Sequence, residues 1–209
     1  MNTLPVDSHI SDTGEYYPSS VVVREDFYPA EIEDEMGETE LHFKLIRLFS
    51  ALLESFFASR KGVTVNGNMM VYFEEGDSKK RLVPDVFVCF GVENKIRRVF
   101  KTWEEGVFPQ VIFEFASEGT FENDLGGKRL DYARLGVEEY YLLDPEREYL
   151  PSPLMAFRRH EGKLLSADVE NDRVFSPLLN LEIVDTGRSF RVFDPNTKEF
   201  LQAVLTSEE

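Results

Sequence analysis

The chain is short of cysteine, of basic charge and of long apolar runs, and each shortage closes off a class of protein. Its one cysteine, Cys89, can form no intrachain disulfide. A lone thiol suits a reducing compartment, so a cytoplasmic location is expected, with Cys89 as a small buried core residue. No stretch of eighteen or more apolar residues occurs, which argues against a membrane-spanning helix. The opening MNTLPVDSHISD has neither a basic start nor an apolar centre and does not read as a secretory signal. HExxH, paired CxxC, a phosphate-binding glycine loop and a nucleophile elbow are all absent, as are internal repeats. Ser117 sits between a strand pattern and a helix pattern but lacks the pair of flanking glycines, so it is not read as a nucleophile. His9 and His160 have no partner at a recognisable spacing.

The shortage of base is uneven. Lys and Arg number 23 against 39 Asp and Glu, a formal net charge of −16, which taken alone opposes binding to phosphates. Ten of those sixteen charges lie in residues 1–40, where eleven acids face the single Arg24. That segment is either a solvated arm or a shield over a basic surface, displaced by a partner.

What is present fits one domain. The 209 residues are 42% hydrophobic and 13% aromatic, enough for a sizeable core. Residues 1–35, with Pro5, Pro18 and Pro29, read as an acidic, partly irregular leader, and 36–209 as a single domain. Leu41, Leu45, Leu48, Phe49, Leu52, Leu53 and Phe56 recur at helical spacing, opposite Glu40, Lys44, Arg47 and Glu54, with Gly62 closing the segment. Strand patterns follow at 63–66 and 69–73 around Asn66-Gly67-Asn68, then at 82–90 and 109–116. Pro84 marks an edge, an entry or a bulge in the third of these. Residues 94–106 read as a charged, partly helical connection. A helix capped by Thr120 or Asn123 runs to about Leu135, and 139–143 is another core strand. The intervening helix predicts that strands 109–116 and 139–143 are parallel. Two hairpins are expected beyond, 155–159 with 163–167 and 183–185 with 189–193.

Two acids interrupt apolar strands: Asp85 in VPDVFVCF and Glu114 in VIFEFAS. A buried carboxylate needs a salt bridge, a hydrogen-bonded cap or a metal. Two close carboxylates repel unless a cation lies between them or one takes a proton, and Mg²⁺ is suited to one or two carboxylates plus water and phosphate. Lys128 lies four residues after Asp124 and four before Tyr132, on one helical stripe. It is either half of an Asp124–Lys128 surface pair or a cation aimed at a metal-bound water or a scissile phosphate. In the second case it is a lysine exposed in a cleft, contributing little to folding. His42 follows Glu38 at i+4, both near the apolar side of the first helix, where they border a site or form a satisfied polar pair. Lys95, Arg97, Arg98 and Lys101 form a basic run that either contacts phosphates or is a solvated helix.

These stretches, taken together, resemble the Uma-type endonuclease family, long catalogued as a domain of unknown function and placed in the PD-(D/E)xK superfamily. The resemblance runs from about residue 18 to 160. It is carried by GETELH at 37–42, VNGNMMVYFEEG at 65–76, VPDVFVCFGV at 83–92 and KTWEEG at 101–106. It continues through VIFEFASEGT at 111–120, Asn123-Asp124 with Lys128, LDYARLGVEEYYLLDP at 130–145 and YLPSPL at 149–154. It implies an α/β, restriction-endonuclease-like core: a mixed central sheet flanked by helices, here with additional C-terminal β-hairpins. It implies that Asp85 is the acid of the PD motif and Glu114 the acid of the next strand, both binding Mg²⁺ or Mn²⁺. The superfamily lysine two residues after the second acid is replaced by Ala116, and Lys128 on the following helix fits as its migrated equivalent. Glu38 or Glu40 would be the acid of the first helix. Glu118 stands where related sequences tend to carry lysine. The expected activity is metal-dependent hydrolysis of DNA phosphodiesters by Asp85, Glu114 and Lys128, with Glu38, Glu40, His42, Asp124 and Tyr132 as accessory candidates. DNA is then the substrate, no membrane partner is expected, and a homodimer is left open. The competing reading is a catalytically inactive binding or assembly protein on the same fold.

Overall fold

The computed structural model describes Tyr28 and residues 40–203. The acidic leader apart from Tyr28, and residues 36–39 with the accessory candidate Glu38, lie outside the described residues. Helix α1, Glu40–Phe57, buries Leu45, Phe49, Leu52 and Leu53 of the expected stripe together with Ile46, while Leu41 and Leu48 at the margin of that stripe are exposed. It lies on a six-stranded sheet with the order β1 (Val63–Gly67), β4 (Val86–Phe90), β6 (Val111–Phe115), β7 (Glu139–Leu143), β8 (Leu154–His160), β9 (Lys163–Ala167). The β6–β7 pair is parallel, as the intervening helix requires, and the other pairs are antiparallel.

Side-chain alternation sends Val86, Val88, Val111, Phe113 and Phe115 to the α1 face and Phe87, Cys89, Ile112, Tyr140 and Leu142 to the other. Both faces are covered, which is why β4, β6 and β7 read as near-continuous apolar runs. On the second face lie helix α4 (Arg129–Leu135) and a small sheet of β3 (Arg81–Leu82), β2 (Val71–Tyr72) and β5 (Phe100–Lys101). Short helix α2, Thr102–Glu105, follows β5 directly. Cys89 is fully buried, and burial pushes its thiol up to about 12, leaving it inert packing.

Several elements depart from the expected pattern. The strands flanking Asn66-Gly67-Asn68 do not pair with each other; β1 joins β4 and β2 joins the small sheet. The run 82–90 is two strands, β3 and β4, broken at 83–85 around Pro84, which has no N–H to give a ladder. The connection 94–106 is mostly irregular, ending in β5 and α2. The second helix comes in three pieces: α3 (Phe121–Asn123), a π-helical turn (Asp124–Lys128), then α4. Neither Thr120 nor Asn123 caps it through its side chain; the Thr120 hydroxyl instead accepts from the Ser117 amide at 3.3 Å.

Both predicted hairpins form, and both belong to larger sheets. The first, β8–β9, extends the central sheet. The second pairs β11 (Leu181–Asp185) with β12 (Phe190–Asp194) inside a four-stranded sheet that adds β10 (Arg173–Ser176) and β13 (Glu199–Phe200). That sheet closes over the α1 face with Leu181, Ile183, Phe190 and Val192. Buried Glu139 ties the layers: it accepts from Tyr141 Oη at 2.8 Å, from Ser176 Oγ, and from the Leu178 amide at 3.1 Å. No described helix is long and apolar enough to cross a membrane.

Candidate active site at the end of strands β4 and β6

The β4–β6 register pairs Val86 with Phe113, so one step further Asp85 faces Glu114 across the strand ends. Glu114 alternates with Phe113 and Phe115 and so belongs to the face covered by α4, while Asp85, just ahead of β4, reaches His42 of α1 from the strand end. Each is buried for a different reason. Asp85, 8% exposed, has already left the ladder at the Pro84 break. Its Oδ2 accepts the Phe115 amide at 2.7 Å and faces His42 Nε2 at 3.0 Å. Both bonds fall on one oxygen, and Oδ1 is left for another partner. Glu114, 1% exposed, is inside β6, and its oxygens are served from the second helix: Tyr132 Oη donates to Oε1 at 2.6 Å and Lys128 Nζ to Oε2 at 3.1 Å.

Lys128 also lies 3.0 Å from Asp124 Oδ1. Asp124 is 1% exposed, and neither of its oxygens accepts a well-directed hydrogen bond. The Lys128 side chain is only 17% exposed. The expectation of a cleft lysine contributing little to folding is therefore corrected: this ammonium is the shared counter-ion of two buried acids. Burial pushes the Glu114 carboxyl up to about 8; Lys128 pulls it back, and the charges of Asp85 and Asp124 add to the rise. Burial likewise raises Asp124 against the pull of Lys128. For Lys128 burial acts downward, but Glu114 and Asp124 outweigh it, and the ammonium is held above its ordinary value. The Tyr132 hydroxyl is raised by burial and by Glu114, and stays a donor.

The structure thus brings together Asp85, Glu114, Lys128, Asp124, Tyr132 and His42. Glu40 is elsewhere, on the exposed side of α1 in a 2.5 Å pair with Lys44. The basic run is not a free phosphate-binding face: the Arg97 guanidinium is bidentate to Glu105 at 2.8 and 2.9 Å, Lys95 joins it at 3.4 Å, and Lys101 pairs with Glu104. Sequence reasoning missed the Phe115 amide as a donor to Asp85. The signal was the Pro84 break, which frees Asp85 from the ladder and points it at the neighbouring strand.

The donors suit a hard cation. They are carboxylate oxygens, with Asp85 Oδ1 uncommitted and Glu114 held by weaker partners than a dication. Among the described residues no group of three or more His, Cys, Asp or Glu is arranged to hold a metal ion. Two carboxylates with water match the habit of Mg²⁺ rather than that of a metal bound wholly by protein groups.

A family model described as "Putative restriction endonuclease", Uma2, matches residues 26–186. The chain belongs to the Uma2 family. None of the curated proteins matches. Among solved structures, this Uma2 member is similar to a crystal structure described as a putative nuclease belonging to DUF820, from Anabaena variabilis ATCC 29413. The identity is 17%, the TM-score 0.51, and the match covers 71% of this chain and 78% of the other. At that identity the likeness shows the fold alone: a nuclease fold, here carrying extra C-terminal strands.

Proposed function

We propose that the protein is a metal-dependent DNA endonuclease of the PD-(D/E)xK type. The observation that carries the reading is the pairing of Asp85 with Glu114 at the strand ends, with the Lys128 ammonium on the second acid. Asp85 and Glu114 would hold Mg²⁺ or Mn²⁺, whose chemistry is to lower the pKa of a bound water and offset phosphate charge. The Phe115 amide and His42 fix the Asp85 carboxylate on one oxygen, so the other points in one direction. Tyr132 fixes the rotamer of Glu114. Lys128 is positioned to orient the attacking water or to stabilise negative charge building on the phosphate. Membership of a family described as restriction endonucleases supports DNA as the substrate.

The second reading, an inactive protein on the same fold, is favoured by the saturated state of Lys128, held by two acids, and by Glu118, exposed three residues beyond β6. Isothermal titration with Mg²⁺ and Mn²⁺ separates the two. Binding by the wild type that Asp85→Ala abolishes, accompanied by cleavage of plasmid DNA, is the expected outcome, because one carboxylate competes poorly with water for the ion. Binding unchanged in Asp85→Ala would move the cation to another part of the molecule and remove the nuclease reading.

A further inference from the structure

We propose that Asp124 is a positioning residue, the fixed counter-ion that keeps the Lys128 ammonium in the site while Glu114 turns to another partner. The role of Lys128 in cleavage rests on the reading above; the geometry that assigns Asp124 does not.

Lys128 Nζ is almost equidistant from two acids, 3.1 Å from Glu114 Oε2 and 3.0 Å from Asp124 Oδ1. The acids are not equivalent. Glu114 has an alternative on its other oxygen, the Tyr132 hydroxyl at 2.6 Å, and lies opposite Asp85, where a cation is attracted. Asp124 has only the Thr120 hydroxyl beside the ammonium: both oxygens are buried, neither receives a well-directed hydrogen bond, and Lys128 is the cation that offsets its charge. A buried carboxylate in that position holds its cation strongly, since losing it leaves an uncompensated charge out of water.

The main chain of Asp124 is pinned. Its carbonyl accepts from Tyr140 Oη at 3.0 Å and its amide donates to the Thr120 carbonyl at 3.0 Å. Of the residues between the two partners, Leu125 alone has a side chain to pack, and it lies against the core cluster under α4. Asp124 and Lys128 stand at the two ends of the π-helical turn, with Gly126 and Gly127 between them. Gly126 meets no neighbour, and Gly127 is kept bare because a Cβ there would lie 2.6 Å from Asn123 Oδ1. π-turns of this kind concentrate at functional sites. In a turn that soft, the ion pair and not the helix fixes where the ammonium sits. A dication arriving at Glu114 would repel Lys128; Asp124 is the group that retains it.

The test compares Asp124→Asn with Glu114→Gln, both close to isosteric. Acetylation of Lys128 by an amine-reactive ester, followed by mass spectrometry, should speed up several-fold in Asp124→Asn and change little in Glu114→Gln. Thermal melts give a second arm. Lys128→Met should lower Tm by about 6 °C or more, as loss of one partner from a buried pair does in a chain of this size. Adding Asp124→Asn should restore at least half of that loss, and adding Glu114→Gln less. Equal labelling in the two variants, or better rescue by Glu114→Gln, would overturn the proposal, as would a Lys128→Met protein that melts like the wild type. If the wild type cleaves DNA, Asp124→Asn should lower kcat at least tenfold with KM and Mn²⁺ affinity unchanged; a loss confined to KM or to the metal would also overturn it. A wild type that cleaves nothing counts against the nuclease reading alone, and the labelling and melting results still decide the place of Asp124.

Discussion

Glu114 illustrates how one side chain sets the conditions under which the site can work. Its carboxyl rises from the ordinary 4.5 to about 8, chiefly by burial, with Lys128 opposing and Asp85 and Asp124 assisting. With Glu114 protonated, Asp124 and Lys128 form one balanced pair in the interior; ionising Glu114 adds an unbalanced negative charge. An acid raised on folding is protonated in the folded chain and ionised in the unfolded chain between the two values. The unfolded state therefore binds fewer protons there, and stability falls as pH climbs from about 4.5 to about 8, then levels off. Melting temperature should decline across that window in the wild type, and Glu114→Gln, which has no proton to lose, should flatten the decline. Burial raises Asp124 and Glu54 as well, and both contribute to any slope that survives. An unchanged slope in the glutamine variant would mean that Glu114 is already ionised at neutral pH. At this scale much was legible beforehand. Asp85 and Glu114 betrayed themselves as acids in apolar strands, and the Asp124–Lys128–Tyr132 stripe followed from helical spacing. What spacing does not carry is depth. It places a lysine on a face of a helix without saying whether that face meets solvent or two buried carboxylates.

Between elements, close approach is bought by leaving out a side chain. Gly67 ends β1 where that strand passes under α1. A Cβ there would lie 2.4 Å from Ser50 Oγ, 3.0 Å from Ile46 Cγ2 and 3.2 Å from the Asp85 carbonyl. Those neighbours are a short buried side chain, a core methyl and backbone, none of which can step aside freely. Gly67→Ala should therefore destabilise by about 1–3 kcal/mol. It should also weaken metal binding, because Asp85 is held between this contact and β6; the Asn68 amide donates to the Asp85 carbonyl at 2.9 Å. A melt and a Mn²⁺ titration on one variant check both halves, and a fall in Tm with unaltered Mn²⁺ affinity would separate strand packing from the site. Helix α1 and strands β4, β6 and β7 were legible because each buries a long periodic or continuous apolar run. The helix between β6 and β7 was legible as one element and not as three, since its π-turn is tied to other elements: the Tyr140 hydroxyl of β7 donates to the Asp124 carbonyl, and Lys128 reaches Glu114 of β6. Strands β10 and β13 were missed for another reason: four and two residues long, they have too few positions to show alternation, and pairing with neighbours defines them.

For the molecule as a whole, the open conflict is between a net charge of −16 and a polyanionic substrate. The basic run and Lys128 do little to ease it, because Arg97, Lys95, Lys101 and Lys128 are all engaged with acids of the same chain. Shortening the leader changes that balance. Residues 1–17 contain Asp7, Asp12 and Glu15 and no Lys or Arg. They lie ahead of the family match, which begins at residue 26. They also lie ahead of Tyr28, the described residue of the leader, whose hydroxyl accepts the Gly76 amide at 2.7 Å and whose ring packs 4.9 Å from Tyr72 and 5.2 Å from Trp103. A chain starting at residue 18 keeps that anchor and loses three negative charges. Like charges brought near DNA oppose binding, and the opposition is screened by salt, with a Debye length of about 10 Å at 0.1 M. The truncated protein should bind a DNA duplex more tightly at low ionic strength, with the advantage shrinking as salt is raised. Its log–log salt dependence should accordingly be steeper than that of the full chain, since lysines and arginines no longer shadowed by the leader release counterions on contact. Its melting temperature should match that of the full chain, because the anchor and the core are untouched. Equal affinity of the two proteins at every salt concentration would place the leader away from the DNA-binding face and return it to the role of a solvated arm.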